Sequence, residues 1–424
     1  MKKGLEDLAI LGGQPAFSTP LHVGYPNIGN RAALFERINN ILDRRWLTNM
    51  GPYSQEFERR IEDMLGVKHC IVMCNGTVAL EIAIRALGLT GEVIVPSMTF
   101  IATVHALQWQ EITPIFCDIA PGEFHLDPAK IESMITPRTS GIMGVHLWGR
   151  PCEVESLTKI ADRWNLKLLF DAAHAFGCSH NGRMVGNFGH AEVFSFHATK
   201  CLNTFEGGAI VTNDDALASK IRLMQNFGFS GNDKVIYIGT NGKMNEVSAA
   251  MGLTSLDDFA TFVDVNRRNY YCYVKELAGI RGLRLLMYDE KETNNYHYIV
   301  LEIDEKVCGL SRDQLLDILK EENILARRYF YPGCHNMEPY RSYFPLAPLW
   351  LQETEKMAKR ILILPTGAAV DGEVIQTICH LVRLTASHGR EMRDLLQKQA
   401  LPLERRRSQA FEPTPVKELA VVPR

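Results

Sequence analysis

Between about residue 90 and residue 214, short apolar runs alternate with longer amphipathic stretches. The runs Glu92–Pro96, Thr113–Asp118, Gly141–Leu147, Lys167–Asp171, Ala191–Phe196 and Gly208–Thr212 are predicted as strands. Several are apolar at nearly every position, as strands covered on both faces must be. Helical periodicity separates many of them, at Thr77–Leu87, Phe100–Gln108, Pro128–Ile135 and Cys152–Trp164. This alternation predicts an α/β fold with a mostly parallel central sheet flanked by helices.

From about Asn245 the pattern changes. Helices are expected over Glu246–Phe262, Arg268–Leu277, Ser311–Glu322 and Asp371–Leu384, with a strand over Tyr296–Ile303. The predicted organisation is a large domain over residues 1–255, the N-terminal segment included, and a smaller α+β domain over 256–388. Residues 389–424 lack apolar periodicity and carry Glu404-Arg405-Arg406-Arg407 and Glu412-Pro413-Thr414-Pro415. They are expected to be a frayed helix followed by disorder.

Composition narrows the function classes. The chain has 424 residues, 46% of them hydrophobic, enough for two or three domains. A formal net charge of −3 leaves no basic surplus for nucleic acid or an anionic membrane. The N-terminus has no long apolar core of a signal peptide, and no run of about 18 apolar residues predicts a membrane span. The ten cysteines are scattered without a CxxC pair. They read as reduced thiols of a cytoplasmic protein, and no metal is expected.

Three segments carry candidate chemistry. In Ser195-Phe196-His197-Ala198-Thr199-Lys200 a strand ends, a short polar turn follows, and a lysine sits in the turn. Ligand-handling residues of open α/β sheets cluster just beyond the strands' carboxyl ends. An amine acts as a nucleophile only when unprotonated, which desolvation achieves. In Leu168-Leu169-Phe170-Asp171-Ala172-Ala173-His174 a carboxylate follows directly on an apolar strand. It could pair with a buried cation such as a pyridinium nitrogen, or simply cap the next helix. In Cys74-Asn75-Gly76-Thr77 a small polar turn opens a helix, where free N–H groups and the helix dipole favour phosphate. Each alone has an ordinary structural explanation. In this chain order they supply a phosphate cradle, a partner for a ring nitrogen and a lysine for an aldehyde.

That set resembles the fold-type I pyridoxal-phosphate enzymes. More narrowly, the chain is similar to the DegT/DnrJ/EryC1/StrS family of nucleotide-sugar aminotransferases, from about Leu11 to about Leu384. The phrases that carry the likeness include Val95-Pro96-Ser97-Met98-Thr99-Phe100, Val145-His146-Leu147-Trp148-Gly149, Gly239-Thr240-Asn241-Gly242-Lys243-Met244-Asn245-Glu246 and Tyr331-Pro332-Gly333-Cys334-His335. The resemblance implies pyridoxal 5′-phosphate held by Lys200 as a Schiff base, with Asp171 on the ring nitrogen. It implies Phe100 stacked on the ring, His174 at the phenolic oxygen, and Gly76, Thr77 and Ser195 on the phosphate. Asn241 would reach the phosphate of a neighbouring subunit, making a homodimer with shared active sites.

The implied reaction moves an amino group, with L-glutamate as donor, to a keto-deoxysugar nucleotide in amino-sugar or antibiotic biosynthesis. A C4 ketone of a 6-deoxyhexose on thymidine diphosphate is favoured over a C3 ketone. Candidate sugar contacts are His146, Trp148, Arg327, Arg328, Tyr329, Tyr331 and His335, a set that fits a domain interface nearly as well. The related dehydratases replace the Schiff-base lysine with histidine, whereas Lys200 is present here. A regulator that kept only the fold would be free to lose Lys200, Asp171 or Ser195. A nicotinamide-dependent reductase would need a GxGxxG turn after an early strand, and none is present.

Overall fold

The computed structural model describes residues 2–398. Its large sheet is built from β1 (His69–Met73), β2 (Glu92–Pro96), β3 (Thr113–Cys117), β4 (Thr139–Val145), β5 (Lys167–Asp171), β6 (Ala191–Ser195) and β7 (Gly208–Thr212). The seven strands lie in the order β1-β7-β6-β5-β4-β2-β3. Only β7 runs against its neighbours β1 and β6; the other pairs are parallel. The carboxyl ends of the other six strands therefore share one edge.

The near-continuous apolar runs have a direct cause. Along β5, Leu168 and Phe170 enter one core while Leu169 enters the other; along β2, Ile94 faces the first and Val93 and Val95 the second. Alternate side chains of a strand point to opposite faces, so a strand buried on both sides has no position left for solvent. Helices α1 (Gly76–Leu87) and α2 (Ile101–Gln108) follow β1 and β2 and open at the shared edge.

The smaller unit is α+β. Strands β8 (Leu283–Leu285), β9 (Ile299–Ile303) and β10 (Ile361–Leu364) form an antiparallel sheet covered by α4 (Arg312–Glu321) and α5 (Gly372–Ser387). Helix α3 (Phe259–Leu277) joins the two units. Its Phe259 and Phe262 pack in the large core, and its Tyr270, Tyr273 and Leu277 in the small one.

Two expectations need correction. The N-terminal segment belongs with the small unit: Leu5 and Leu8 enter that core, and Leu21–His22 pairs in parallel with Ile324–Leu325. The buried carboxylate of Glu322 accepts from the Ala9 and Ala16 N–H groups and fixes the segment there. Residues 389–398 form a helix with Met392 buried in the small core, rather than a frayed end. The expected disorder beyond them lies outside the described residues. The parallel α/β architecture itself is as expected.

Candidate active site

The shared strand edge opens on a cavity of about 440 Å³. Its floor is assembled from three strand ends. Asn75 caps α1, its side chain accepting from the Val78 N–H at 2.8 Å. The N–H groups of Gly76 and Thr77 in the first turn are left facing outward, as helix starts leave them. Ser195, at the end of β6, sits directly across. A Cβ on Gly76 would lie a tight 3.1 Å from the Ser195 Cβ, so glycine lets the turn pack this close to the serine.

Asp171 ends β5 and is 6% exposed. Its Oδ2 accepts from the Thr103 hydroxyl at 2.7 Å, and its Oδ1 from the Ala173 N–H at 3.1 Å. Thr103's single hydrogen is used there, so Thr99, at 2.8 Å, must be its donor. Burial raises the Asp171 carboxyl above the ordinary carboxylate range, against the pull of these donors and of the Lys200 charge. A buried carboxylate in this state is matched by a cation brought to it.

Lys200 is held in a tight turn after β6, its N–H donating to the His197 carbonyl at 2.9 Å. Burial lowers its ammonium from the usual lysine range to about 8, with Asp171 opposing. His174 is half-buried at the cavity wall and held well below its ordinary range, chiefly by desolvation. The Trp148 N–H donates to its Nδ1 at 3.2 Å, so the ring is neutral with the hydrogen on Nε2. Phe100 stands at the mouth, 56% exposed.

The small unit supplies the opposite wall. His174 stacks on Phe330 with centroids 5.9 Å apart, Phe330 stacks on Tyr329 at 5.0 Å, and the Arg327 guanidinium lies 5.4 Å over Tyr329. The result is a helix-opening turn, a buried carboxylate and a weakly basic lysine facing a wall of aromatic rings ending in a cation.

The DegT/DnrJ/EryC1/StrS aminotransferase family matches residues 30–383. The chain belongs to this family. A dTDP-4-amino-4,6-dideoxy-D-glucose transaminase from Shigella dysenteriae is 36% identical over 364 residues, covering 86% of this chain and 98% of that protein. A GDP-perosamine synthase from Caulobacter vibrioides is 37% identical over 304 residues, covering 70% and 81%. Among solved structures, DesI in the presence of its TDP-sugar product is 50% identical, with a TM-score of 0.89 over 93% of this chain and 100% of that one. The chain is thus a pyridoxal-phosphate-dependent aminotransferase.

Within this family framework, the geometry sorts the residues picked from sequence. Gly76, Thr77, Phe100, Asp171, His174, Ser195 and Lys200 all line the one cavity. Asn241 is exposed and lies outside the cavity. Of the candidate sugar contacts, Arg327, Tyr329 and His146 line it, the His146 ring being fully buried and bonded to Glu192 and to the Cys152 N–H. The others are corrected. Trp148 is fully buried against Phe124. His335 is fully buried between Ser97 and Glu355. Arg328 and Tyr331 pair with each other outside the cavity.

Sequence reasoning missed Thr103, His297, Tyr298, Phe330 and the Val23-Gly24 pair, all at or beside the cavity. Thr103 left a signal: it falls in the first turn of a helix opening just beyond a strand end.

Proposed function

We propose that this enzyme moves an amino group from L-glutamate to C4 of a thymidine-diphosphate-linked 4-keto-6-deoxyhexose, in deoxysugar biosynthesis for an antibiotic or related metabolite. The observation that carries the reading is the pairing of a half-buried, weakly basic Lys200 with a buried Asp171 in one cavity, across from the close contact of Gly76 with Ser195. The names of the similar Shigella transaminase and of DesI with its product both point to thymidine-nucleotide sugars.

The residues fit pyridoxal 5′-phosphate. The helix-opening turn at Gly76–Thr77 with Ser195 beside it suits its phosphate, and the under-compensated Asp171 suits its ring nitrogen. When bound, the cofactor supplies an aldehyde for amines and a protonated ring that takes up electron density. Asp171 holds the proton on that ring nitrogen. His174 offers its Nε2–H to the ring hydroxyl oxygen. With an amine near 8, Lys200 moves a proton between the donor's α-carbon and the cofactor's C4′ at neutral pH. Arg327 and Tyr329 offer a cation and a hydroxyl to the nucleotide diphosphate.

The reading includes a homodimer in the cytoplasm. Asn241 is assigned to the cofactor phosphate of a partner subunit. The segment before it is strongly apolar and exposed, with Ile238 74% accessible, as a face covered by a second copy would be. Ten unpaired cysteines fit a reducing compartment.

The test is incubation with L-glutamate and a panel of 3-keto and 4-keto nucleotide sugars, with products located by NMR. A 4-amino product with 2-oxoglutarate is expected. Amination at C3 alone would remove the C4 assignment, and no turnover of any sugar would remove the sugar reading. Asn241→Ala should lose cofactor faster on dialysis; unchanged retention removes the shared-site assignment.

A further inference from the structure

The Lys200 turn is gripped on both flanks by side chains from outside the strand that delivers it. On one flank, the parallel pairing of Leu21–His22 with Ile324–Leu325 directs the chain into the cavity wall at Val23 and Gly24. Gly24 has φ of 76°, and a Cβ there would meet the Thr199 Cβ at 3.0 Å. Three residues on, the buried Asn27 donates from Nδ2 to the Cys201 carbonyl at 2.9 Å. Its own backbone carbonyl accepts from Asn203 Nδ2 at 2.8 Å.

On the other flank, the buried His297 donates from Nε2 to the Thr199 carbonyl at 2.9 Å. A carbonyl can only accept, so the ring hydrogen is on Nε2. Asn266 Nδ2 lies 3.5 Å from the free Nδ1. The peptide carbonyls on either side of Lys200 are therefore each fixed, one by the N-terminal strap and one by the small unit.

We propose that Asn27 and His297 are positioning residues that hold the Lys200 side chain in its half-buried place beside Asp171. The proposal rests on Lys200 being the cofactor lysine. Burial is what lowers the lysine to about 8. The titratable groups around it are Asp171, which opposes that shift, and His174 and His297, both kept below the ordinary imidazole range by burial. A turn released on one flank exposes the amine further to water, and its titration moves back toward the ordinary lysine range.

The experiment uses the full chain stripped of cofactor. Pyridoxal 5′-phosphate with cyanoborohydride labels Lys200, and peptide mass analysis follows the rate against pH for the parent, Asn27→Ala, His297→Leu and His297→Gln. Thermal unfolding is followed alongside. In Asn27→Ala and His297→Leu the midpoint is expected to rise by about one pH unit, and labelling at pH 7 to fall about tenfold. His297→Gln, whose amide can still donate to the Thr199 carbonyl, should label at more than half the parent rate. Asn27→Asp, isosteric but unable to donate, gives the same readout if the alanine variant does not fold. Unmoved midpoints in Asn27→Ala and His297→Leu overturn the proposal. So does an equal shift in Met392→Ala, which loosens the small core far from the turn. A parent that is not labelled at Lys200 instead overturns the cofactor reading beneath it.

Discussion

The two walls of the cavity were read from the same sequence with opposite results. On the large-unit side, Gly76, Thr77, Phe100, Asp171, His174, Ser195 and Lys200 converge on one space. On the small-unit side, the run from Arg327 to His335 divides. Arg327, Tyr329 and Phe330 face the cavity, while Arg328, Tyr331 and His335 turn to other partners. The first wall is built from strand ends, and a parallel sheet brings all such ends to one edge whatever the intervening loops do. The second is a loop, where facing depends on backbone direction at each residue, and residue type alone does not carry that.

The comparison breaks most sharply at Lys200. Lys200→Ala is expected to reduce turnover by more than about a thousandfold, since it removes both the cofactor's attachment and the proton carrier. Single-turnover kinetics on reconstituted protein checks this, and a loss under tenfold would take Lys200 out of the chemistry. Asp171→Ala comes next. Breaking a buried charge pair costs about 3–5 kcal/mol, so cofactor affinity measured by fluorescence quenching should fall at least about a hundredfold.

The opposite wall gives smaller, split effects. Arg327→Ala should raise KM for the nucleotide sugar about tenfold, the loss of one charged hydrogen bond of about 1.5–3 kcal/mol, with kcat little changed. Arg328→Ala, pointing the other way, should leave KM within about twofold. Equal effects at the two arginines would erase the distinction between them. His335→Ala should act on stability, not KM, lowering it by about 1–3 kcal/mol because Ser97 and Glu355 lose a buried partner.

Much of the fold was legible because burial on both faces leaves a plain mark. Glu92–Pro96, Lys167–Asp171 and Gly208–Thr212 are strands over the predicted spans. The strand His69–Met73 left less of one, being a short run between a helix end and the phosphate turn. The expected break near Phe262 is absent, because α3 runs on to Leu277 and serves two cores in turn. The N-terminal strap was invisible for a different reason. Val23, Gly24 and Asn27 reach the site only through a two-residue pairing with Ile324–Leu325, a contact across some 300 positions with no local signature. His297 was hidden in the same way, its role set by the distant Thr199 carbonyl.

The account stands on Lys200 being a weakly basic amine that captures the cofactor. The direct measurement is to reconstitute the stripped protein with pyridoxal 5′-phosphate across pH, reduce with borohydride, and locate the label by peptide mass. A lysine lowered to about 8 gains its unprotonated form as pH rises. Capture should therefore climb about tenfold per pH unit below that point and level off above it. The protein should turn yellow and carry the label on Lys200 alone. A colourless protein, or a label spread over surface lysines that titrate in the ordinary lysine range, would contradict it.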